Sequence, residues 1–438
     1  MQTDLANARS SQPLLLLATR AVGVGRNHGS TVPARVASRR RGKPAARLTT
    51  TAALQDEHVR IFAVSDIHTD YDINMQWVQR LSAAQHRQDT LILAGDVSDD
   101  LRLLRQTLVS LAAAFRHVFF VPGNHDLWVR GSDTGRNGGA LDSLQKLRLV
   151  LDLCRELGVH SSPQRLGAVW VVPLLSWHHQ SFDREPDIPG VPRVSAWSIV
   201  DYSACRWPDS VPGASQPGSR ELAGWFDGQN GGEADPALRG DCDVVSFSHF
   251  LPSQELLPEK RFLFYPNLAK AVGSDPLGQR VAALKPDIHI FGHTHFSWDA
   301  TLQGTRHIQA PLCGPSERQR RLRSILTFEP EQHQHARSSL GRHHNKASMA
   351  VPGIDALRAD WLPLLVYQSG QEAPGRDWQA LKHGYMCPPL HAHWSSYYEA
   401  HQRDPANTEL APWIAPIYRR RRARAQAQAV PADVVDLP

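Results

Sequence analysis

Residues 117–126 read HVFFVPGNHD, a short apolar run that ends in residue types able to bind a metal ion. β-Branched and aromatic residues favour a strand, and the Pro-Gly pair after Val121 ends it. Asn124, His125 and Asp126 then follow at once. The stretch therefore predicts a buried strand whose carboxyl end carries candidate metal ligands.

The same arrangement, an apolar run followed by Asp or His, recurs five times along the chain. The carboxyl ends of strands in an open α/β sheet converge on one crevice, so residues far apart in sequence are expected to meet there. Loops at such an edge carry function on a rigid frame. The five further sites are Asp66 and His68 after residues 61–65, Asp96 after 91–94, His178 and His179 after 171–176, His249 after 244–248, and His293 and His295 after 288–291.

Apolar strand patterns alternate with helical patterns, which predicts an α/β layered domain. Leucines recur at helical spacing over residues 101–115 and 141–157, with Ser98 and Asp99 as candidate N-caps and Gly158 as a stop signal. The predicted strands are Val59–Ser65, Thr90–Ala94, His117–Val121, Val169–Ser176, Val244–Ser248, Asp287–Phe291, Arg306–Ala310, Ile325–Phe328 and Leu362–Tyr367.

The candidate ligands supply both oxygen and nitrogen donors, a mixture that suits two divalent or trivalent ions of Mn, Fe or Zn. A site for calcium or magnesium would be mostly oxygen. Seven ligands are too many for one ion with an open position, but they suffice for two ions if one carboxylate bridges. Glycines at 95, 123 and 292 are expected to relieve crowding beside the ions. The seven are Asp66, His68, Asp96, Asn124, His249, His293 and His295.

The order of these motifs resembles the calcineurin-like metallophosphoesterases. Asp-x-His at 66–68, Gly-Asp at 95–96, Gly-Asn-His-Asp at 123–126, His249 and Gly-His-x-His at 292–295 all match that family, over residues 60–296. Each motif is weak alone, and five in order at strand ends are specific. The resemblance implies a layered sandwich of two mixed β-sheets flanked by helices.

The resemblance also implies a role for each matched residue. His125 would contact the phosphate as general acid or charge stabiliser, which suits an imidazole. Asp126 would orient His125. Asp96 would bridge the two ions. The first ion would be held by Asp66, His68 and His295, and the second by Asn124, His249 and His293.

Departures from the family pattern narrow the subfamily. Residues 97–100 lack the Asp-Arg-Gly of the Ser/Thr protein phosphatase branch, and the closing Gly-His-Thr-His resembles phosphodiesterase-like branches. The body, including residues 264–267 and 409–413, is similar to a plant and algal group of plastid-type proteins. The expected reaction is hydrolysis of a phosphodiester or phosphomonoester in a small molecule by a metal-bridging hydroxide, without a covalent enzyme intermediate.

The positive charge of the chain lies in its first residues. Residues 1–55 carry nine basic residues and one acid, so the remainder of the +5 chain is net negative. That composition predicts an organelle transit peptide or disordered segment over residues 1–57. The resemblance to the plastid-type group implies the chloroplast, with a mitochondrial or cytoplasmic location as alternatives. Nucleic acid is therefore an improbable partner. The chain has no apolar run long enough to span a membrane, and the oligomeric state stays open.

The predicted organisation has one catalytic domain at residues 58–329, continued at 357–416. Residues 206–240 are rich in Pro, Gly and Ser and are expected to form a surface loop insertion. Residues 330–356 form a His-rich insertion, and residues 417–438 a basic disordered tail. The five cysteines are isolated and include no CxxC motif, so they predict neither a disulfide framework nor a zinc finger.

Two other functions remain open at this stage. The chain could be a metal-binding interaction scaffold that has lost catalysis, or a nuclease. Residues that could contact a substrate are Arg130, His178, His179, Arg206 and Lys260, although structural roles are favoured for each. For Trp177, Trp207, Trp298 and Trp394, core packing is favoured over a role in lining a cleft.

Overall fold

A computed structural model describes residues 58–131, 133, 140–194, 199–231, 240–318, 360–370, 385–386 and 393–429. The expected transit peptide at 1–57, the His-rich insertion at 330–356 and the predicted strand Ile325–Phe328 lie outside these residues. Within the described part of the chain, no helix combines the length and the apolar character that crossing a bilayer requires.

Two β-sheets form the centre of the fold. The first has the order β11-β1-β2-β3, in which β1, β2 and β3 are parallel and β11 is antiparallel to β1. The second has the order β4-β5-β6-β7-β9-β8, with a parallel centre and an antiparallel strand at each edge. Strands β10 and β12 form a separate parallel pair.

The strand bounds are β1 Arg60–Val64, β2 Thr90–Ala94, β3 His117–Val121, β4 Gln164–Leu166, β5 Val169–Pro173, β6 Asp243–Phe247, β7 Ile288–Phe291, β8 Trp298–Leu302, β9 Thr305–Gln309, β10 Asp360–Trp361, β11 Leu364–Gln368 and β12 Tyr385–Met386. The α-helices are α1 Asp72–Arg80, α2 Ala83–His86, α3 Leu101–Ala114, α4 Asn124–Leu127, α5 Ser143–Leu157, α6 Asp201–Ala204, α7 Arg220–Gly228, α8 Asp275–Leu284, α9 His393–Ala400 and α10 Ala415–Ala429. Short 3₁₀ helices lie at Gln180–Phe182, Gln254–Leu256, Lys260–Phe262 and Pro266–Ala271.

The two sheets pack face to face, as strand alternation requires. Ile92 and Phe119 on the first sheet meet Val171, Val245 and Ile290 on the second in one buried cluster. The predicted sandwich of two mixed sheets flanked by helices is therefore confirmed.

Helices cover the outer faces of both sheets. Leu104 and Leu108 of α3 pack on Leu91 and Leu93 of β2, the residues that alternate with the inner ones. On the second sheet, Val281 of α8 packs in the cluster that covers the outer face. Each sheet is therefore buried on both sides, and the loops after the parallel strands stay at one edge.

Most predicted elements agree with the structure to within one or two residues. Two strands, β2 and β3, have the predicted bounds, and α5 ends at Gly158, whose φ is 68°. The N-cap of α3 is Asp100, not Ser98 or Asp99, since its side chain accepts from two backbone N–H groups of the first turn. Strands β4 and β8 were not predicted.

Two segments expected to be irregular contain helices. Residues 206–240, expected to be a surface loop, include α7, whose Leu222 and Phe226 pack against Trp177 and Phe250. The expected disordered tail at 417–438 begins inside α10, where Tyr418 is buried. In both cases apolar side chains have a core to pack against, and this outweighs the local composition.

Candidate metal centre

The backbone at five of the seven candidate ligands adopts a left-handed conformation. The φ angles are 52° at Asp66, 45° at His68, 56° at Asp96, 75° at His293 and 59° at His295. This region is uncommon for residues other than glycine and costs about 1–3 kcal/mol each, so it persists only where the surroundings enforce it. Its concentration on these five residues marks the strand ends as a functional site.

Two glycines allow the loops to approach each other. A Cβ atom on Gly123 would lie 2.2 Å from Asp96 Oδ1, and one on Gly95 would lie 2.4 Å from His249 Nδ1. Gly95 also has a φ of 79°, which glycine adopts without strain. No larger residue fits at either position without displacing a candidate ligand.

The first ligand group consists of Asp66, His68, Asp96 and His295, whose ligand atoms lie within 4.8 Å of one another. The Nε2 atoms of His68 and His295 are 3.1 Å apart, and His295 Nε2 is 3.5 Å from Asp66 Oδ1. Two imidazole nitrogens and a carboxylate oxygen thus point at one small volume, as ligands of one ion would.

The second ligand group consists of Asp96, His249 and His293, together with Asn124. Asn124 Oδ1 lies 3.0 Å from His249 Nε2 and 2.9 Å from His293 Nδ1. Asp96 belongs to both groups, and its Oδ1 is 3.4 Å from His249 Nε2. The carboxylate that the sequence predicts to bridge therefore stands between the two sets.

Hydrogen bonds on the outer ring nitrogens fix the imidazole tautomers. His249 Nδ1–H donates to the Ala94 carbonyl at 2.9 Å, and His293 Nε2–H donates to the Ala271 carbonyl at 2.9 Å. The other ring nitrogen of each histidine faces Asn124 Oδ1. His295 Nδ1 instead lies 2.9 Å from Glu317 Oε2. Such outer partners orient the histidines of metal sites.

Charge and burial set the protonation of the ligands. Burial alone would raise the pKa of Asp66, but His295 and His249 outweigh it and lower the pKa to about 2. The pKa of Asp96 lies well below its usual value because His249 and His125 outweigh burial. Burial, and then His295, lowers the pKa of His68 to about 4. Burial would lower the pKa of His249, but Asp96 outweighs it and raises the pKa to about 9, and the pKa of His295 is raised as well. These two imidazoles would therefore release a proton when a metal ion binds.

The donor set fits a metal-binding site. Carboxylate, amide and imidazole donors converge in two sets around one shared carboxylate, and mixed oxygen and nitrogen donors suit Mn, Fe or Zn. A family model described as calcineurin-like phosphoesterase matches residues 59–297, more than half of the chain. The chain belongs to this family. The phosphoesterase is thus a hydrolase that acts on ester bonds.

Individual proteins resemble this phosphoesterase only in part. The [acyl-carrier-protein] phosphodiesterase PptH of Mycobacterium tuberculosis is 31% identical over 129 residues, 28% of this chain and 38% of the relative. The alignment therefore spans well under half of that protein's length. The crystal structure of PptH has a TM-score of 0.47 at 22% identity, covering 61% of this chain and 93% of its own. That of TT1561 from Thermus thermophilus has a TM-score of 0.34 at 14% identity, covering 57% and 88%.

His125 lies at the mouth of the site of this phosphoesterase. Its Nε2 atom is 3.9 Å from Asp96 Oδ2, and 29% of its side chain is exposed. The ring stacks on Trp128 with centroids 3.6 Å apart and meets His68 edge-on. A group placed so can reach both the shared carboxylate and a molecule entering from solvent.

The role expected for Asp126 needs correction. Its two oxygens accept four backbone N–H groups, from Gly123, Asp96, Val97 and Ser98, at 2.8–3.0 Å. Asp126 therefore joins the loop after β2 to the loop after β3, and is not the residue that orients His125. It is fully buried, and four donors occupy the lone pairs that an interaction with the imidazole would need.

Two carboxylates at the site of the phosphoesterase were not found from the sequence. Asp201 accepts from Asn124 Nδ2 at 2.8 Å and from Trp128 Nε1 at 2.7 Å, and Glu317 contacts His295. Neither follows an apolar strand or belongs to a motif. Asp201 lies 77 residues after Asn124, so no local pattern could have paired them.

The residues considered for substrate contact have structural partners. His178 contacts Asp201, and His179 Nε2 accepts from the Asp275 backbone N–H. Lys260 is nearly buried and donates to Asp183, and the Arg130 guanidinium donates to Asp99. The structural role that the sequence favours for these four thus agrees with their contacts.

The tryptophans also pack as expected. Trp177 and Trp298 are buried in apolar clusters, and Trp207 and Trp394 pack against them in part. Arg206, which was also considered for substrate contact, donates its backbone N–H to Ser143 Oγ. The aromatic residues beside the candidate ligands are instead Trp128, against His125, and Phe250, against His249 and His293, which the sequence did not single out.

Proposed function

We propose that this phosphoesterase hydrolyses a phosphodiester at a dinuclear metal centre. The observation that carries the proposal is the shared position of Asp96. Its carboxylate lies within 4.8 Å of the donor atoms of both ligand groups, so one residue serves two ions. In this arrangement Asp66, His68 and His295 hold one ion, and Asn124, His249 and His293 hold the other.

Two ions held by these residues would lower the pKa of a water molecule and neutralise charge on the phosphoryl group. The residues of the chain supply the frame for that chemistry. Asp66 Oδ1 accepts from the His293 backbone N–H at 2.9 Å, and Asp96 Oδ1 accepts from the His125 backbone N–H at 3.0 Å. Each carboxylate is therefore oriented by the loop that carries another site residue.

His125 is the candidate general acid in this proposal. It is the most exposed of the histidines around the shared carboxylate, and its Nε2 faces Asp96. A protonated Nε2 there can donate to the oxygen that leaves when the phosphoester bond breaks. His68 on one side and Trp128 on the other hold the ring in place.

The substrate class follows from the curated relative. PptH carries the name of a phosphodiesterase acting on acyl-carrier protein, and we propose a phosphodiester of that kind as substrate. A small phosphodiester is the other substrate to test. The native metal is one of Mn, Fe or Zn, as the mixed donors favour.

The test measures hydrolysis by the full-length protein with added Mn²⁺. The substrates are a chromogenic phosphodiester, its monoester, and an acyl-carrier protein bearing its phosphopantetheine group, followed by mass spectrometry. We expect cleavage of a diester that the Asp96→Asn variant lacks. Two bound ions without hydrolysis of any of these would contradict the proposal and favour a metal-binding scaffold.

A further inference from the structure

Asp201 contacts three residues of the site region with its two carboxylate oxygens. Oδ1 accepts from Asn124 Nδ2 at 2.8 Å and from Trp128 Nε1 at 2.7 Å. Oδ2 lies 3.1 Å from His178 Nε2. The side chain is 5% exposed, so water does not compete for these bonds. One buried carboxylate thus holds a candidate metal ligand and the aromatic neighbour of a candidate acid.

The contact with Asn124 decides which way its amide points. An amide has one oxygen, which can bind a metal ion, and one NH₂ group, which cannot. Because Asp201 accepts from the NH₂ group, Oδ1 of Asn124 faces His249 and His293. Without an acceptor at this position, the two ends of the amide would no longer be distinguished.

The contact with Trp128 acts on His125. The indole N–H donates to Asp201, which fixes the plane of the ring. His125 stacks on that ring with centroids 3.6 Å apart and planes 29° apart. Because Asp126 binds backbone groups and not His125, Trp128 is a principal restraint on the orientation of the imidazole.

We propose that Asp201 is a positioning residue that sets both the Asn124 amide and, through Trp128, the His125 ring. The proposal rests on the proposed function, since it assigns tasks within the same site. A comparison with Asp183 separates this role from that of an ordinary buried carboxylate. The Asp183 side chain is also buried, but besides the Gln254 amide its partners include the ammonium groups of Lys260 and Lys270, none of which is a candidate metal ligand. Asp201 is instead bound by an amide, an indole and an imidazole.

The first experiment measures metal binding to full-length protein, by elemental analysis after equilibration with graded Mn²⁺. We expect Asp201→Ala to lower the affinity for one of the two ions by about 10–100-fold and to leave the affinity for the other unchanged. Asp201→Asn keeps an oxygen that can accept from Asn124 and Trp128, so it should restore most of that affinity. Asp183→Ala is the matched control, and should lower the melting temperature while retaining both ions.

The second experiment tests the Trp128 contact. Trp128→Phe keeps a ring against His125 but removes the N–H donor. It is a separate variant, so it tests the contact even if the Asp201 variants do not fold. We expect both ions to be retained, with kcat lowered by about 10-fold and KM unchanged. A merely structural role would lower stability without separating kcat from KM.

The outcomes separate this inference from the proposed function. Two ions bound with unchanged affinity in Asp201→Ala would overturn the inference about Asp201, as would an unchanged kcat in Trp128→Phe. Selective loss of one ion from Asp201→Ala, in a protein that hydrolyses none of the phosphoesters, would support Asp201 and contradict the proposed function.

Discussion

The two ligand groups differ in what holds their histidines. In the second group, the outer nitrogens of His249 and His293 donate to the carbonyls of Ala94 and Ala271. In the first group, the outer nitrogen of His295 faces the carboxylate of Glu317, which is 31% exposed. His249 is fully buried, whereas 24% of the His295 side chain is exposed.

This difference separates a rigid half of the site from an adjustable half. The Ala94 carbonyl, at the end of β2, cannot move without disturbing the sheet, so we expect His249 to be held in place before any ion binds. A carboxylate on a side chain can rotate, and its charge strengthens the hydrogen bond to the imidazole. We expect the second group to select its ion by geometry and the first group to adapt.

The largest effect is expected from the residue that the two groups share. Asp96→Asn removes a carboxylate charge from both groups at once, so it should lower the affinity for both ions and reduce turnover by about 10³-fold or more. Elemental analysis and steady-state kinetics measure the two effects. Loss of only one ion would show that Asp96 belongs to a single group.

A smaller and more selective effect is expected from Gly123→Ala. The new Cβ would lie 2.2 Å from Asp96 Oδ1 and 2.7 Å from His249 Cε1, so it should disturb the rigid half. We expect weaker binding of the second ion and a loss of about 1–3 kcal/mol in the free energy of unfolding. Gly224→Ala is the control, because Gly224 has open space inside α7 and alanine there should stabilise by about 0.5–1 kcal/mol.

A loss from Gly224→Ala equal to that from Gly123→Ala would contradict crowding as the cause of the Gly123 result, because alanine at an open helical position should stabilise. Denaturant titration gives the free energy of unfolding, and metal titration followed by elemental analysis gives the ion affinity.

The smallest effect is expected in the adjustable half. Glu317→Gln keeps an acceptor for His295 Nδ1 but removes its charge, so the affinity for the first ion should fall by about 10-fold while the second ion is unaffected. Glu156→Gln, on the exposed pair with Arg105, is the matched control and should change neither affinity. A loss of the second ion in Glu317→Gln would contradict the independence of the two halves.

The sequence pattern is enough to bring the candidate ligands to one edge of the fold, because each one follows an apolar strand within a few residues. The apolar runs of β1 and β2 are enough to place Asp66 and Asp96 at a common edge of the sheet. The hydrogen-bond partners on the outer sides of the ligands cannot be predicted in this way, because Ala94 and Ala271 act through backbone carbonyls, which every residue has. Asp201 lies in a four-residue helix with no motif, so only tertiary structure brings it to Asn124.

The missed elements have an equally specific cause. Strand β8 contains Asp299, whose charge argues against a buried strand, but the structure pairs it with Arg306 on β9 at 2.8 Å. Helix α7 is preceded by a Pro-, Gly- and Ser-rich stretch, which hides the four-residue spacing of Leu222 and Phe226. Long-range partners, which composition does not reveal, decide both cases.

Strand β11 has a consequence for synthesis of the chain. It pairs with β1, and Val59 N–H donates to Ser369 Oγ across 310 residues of sequence. At translation rates of about 5–20 residues per second, β1 lacks this partner for roughly 15–60 s after its own synthesis. Its outer edge is an unpaired template for that time. Pairing of this edge with another chain therefore competes with folding until β11 has been synthesised.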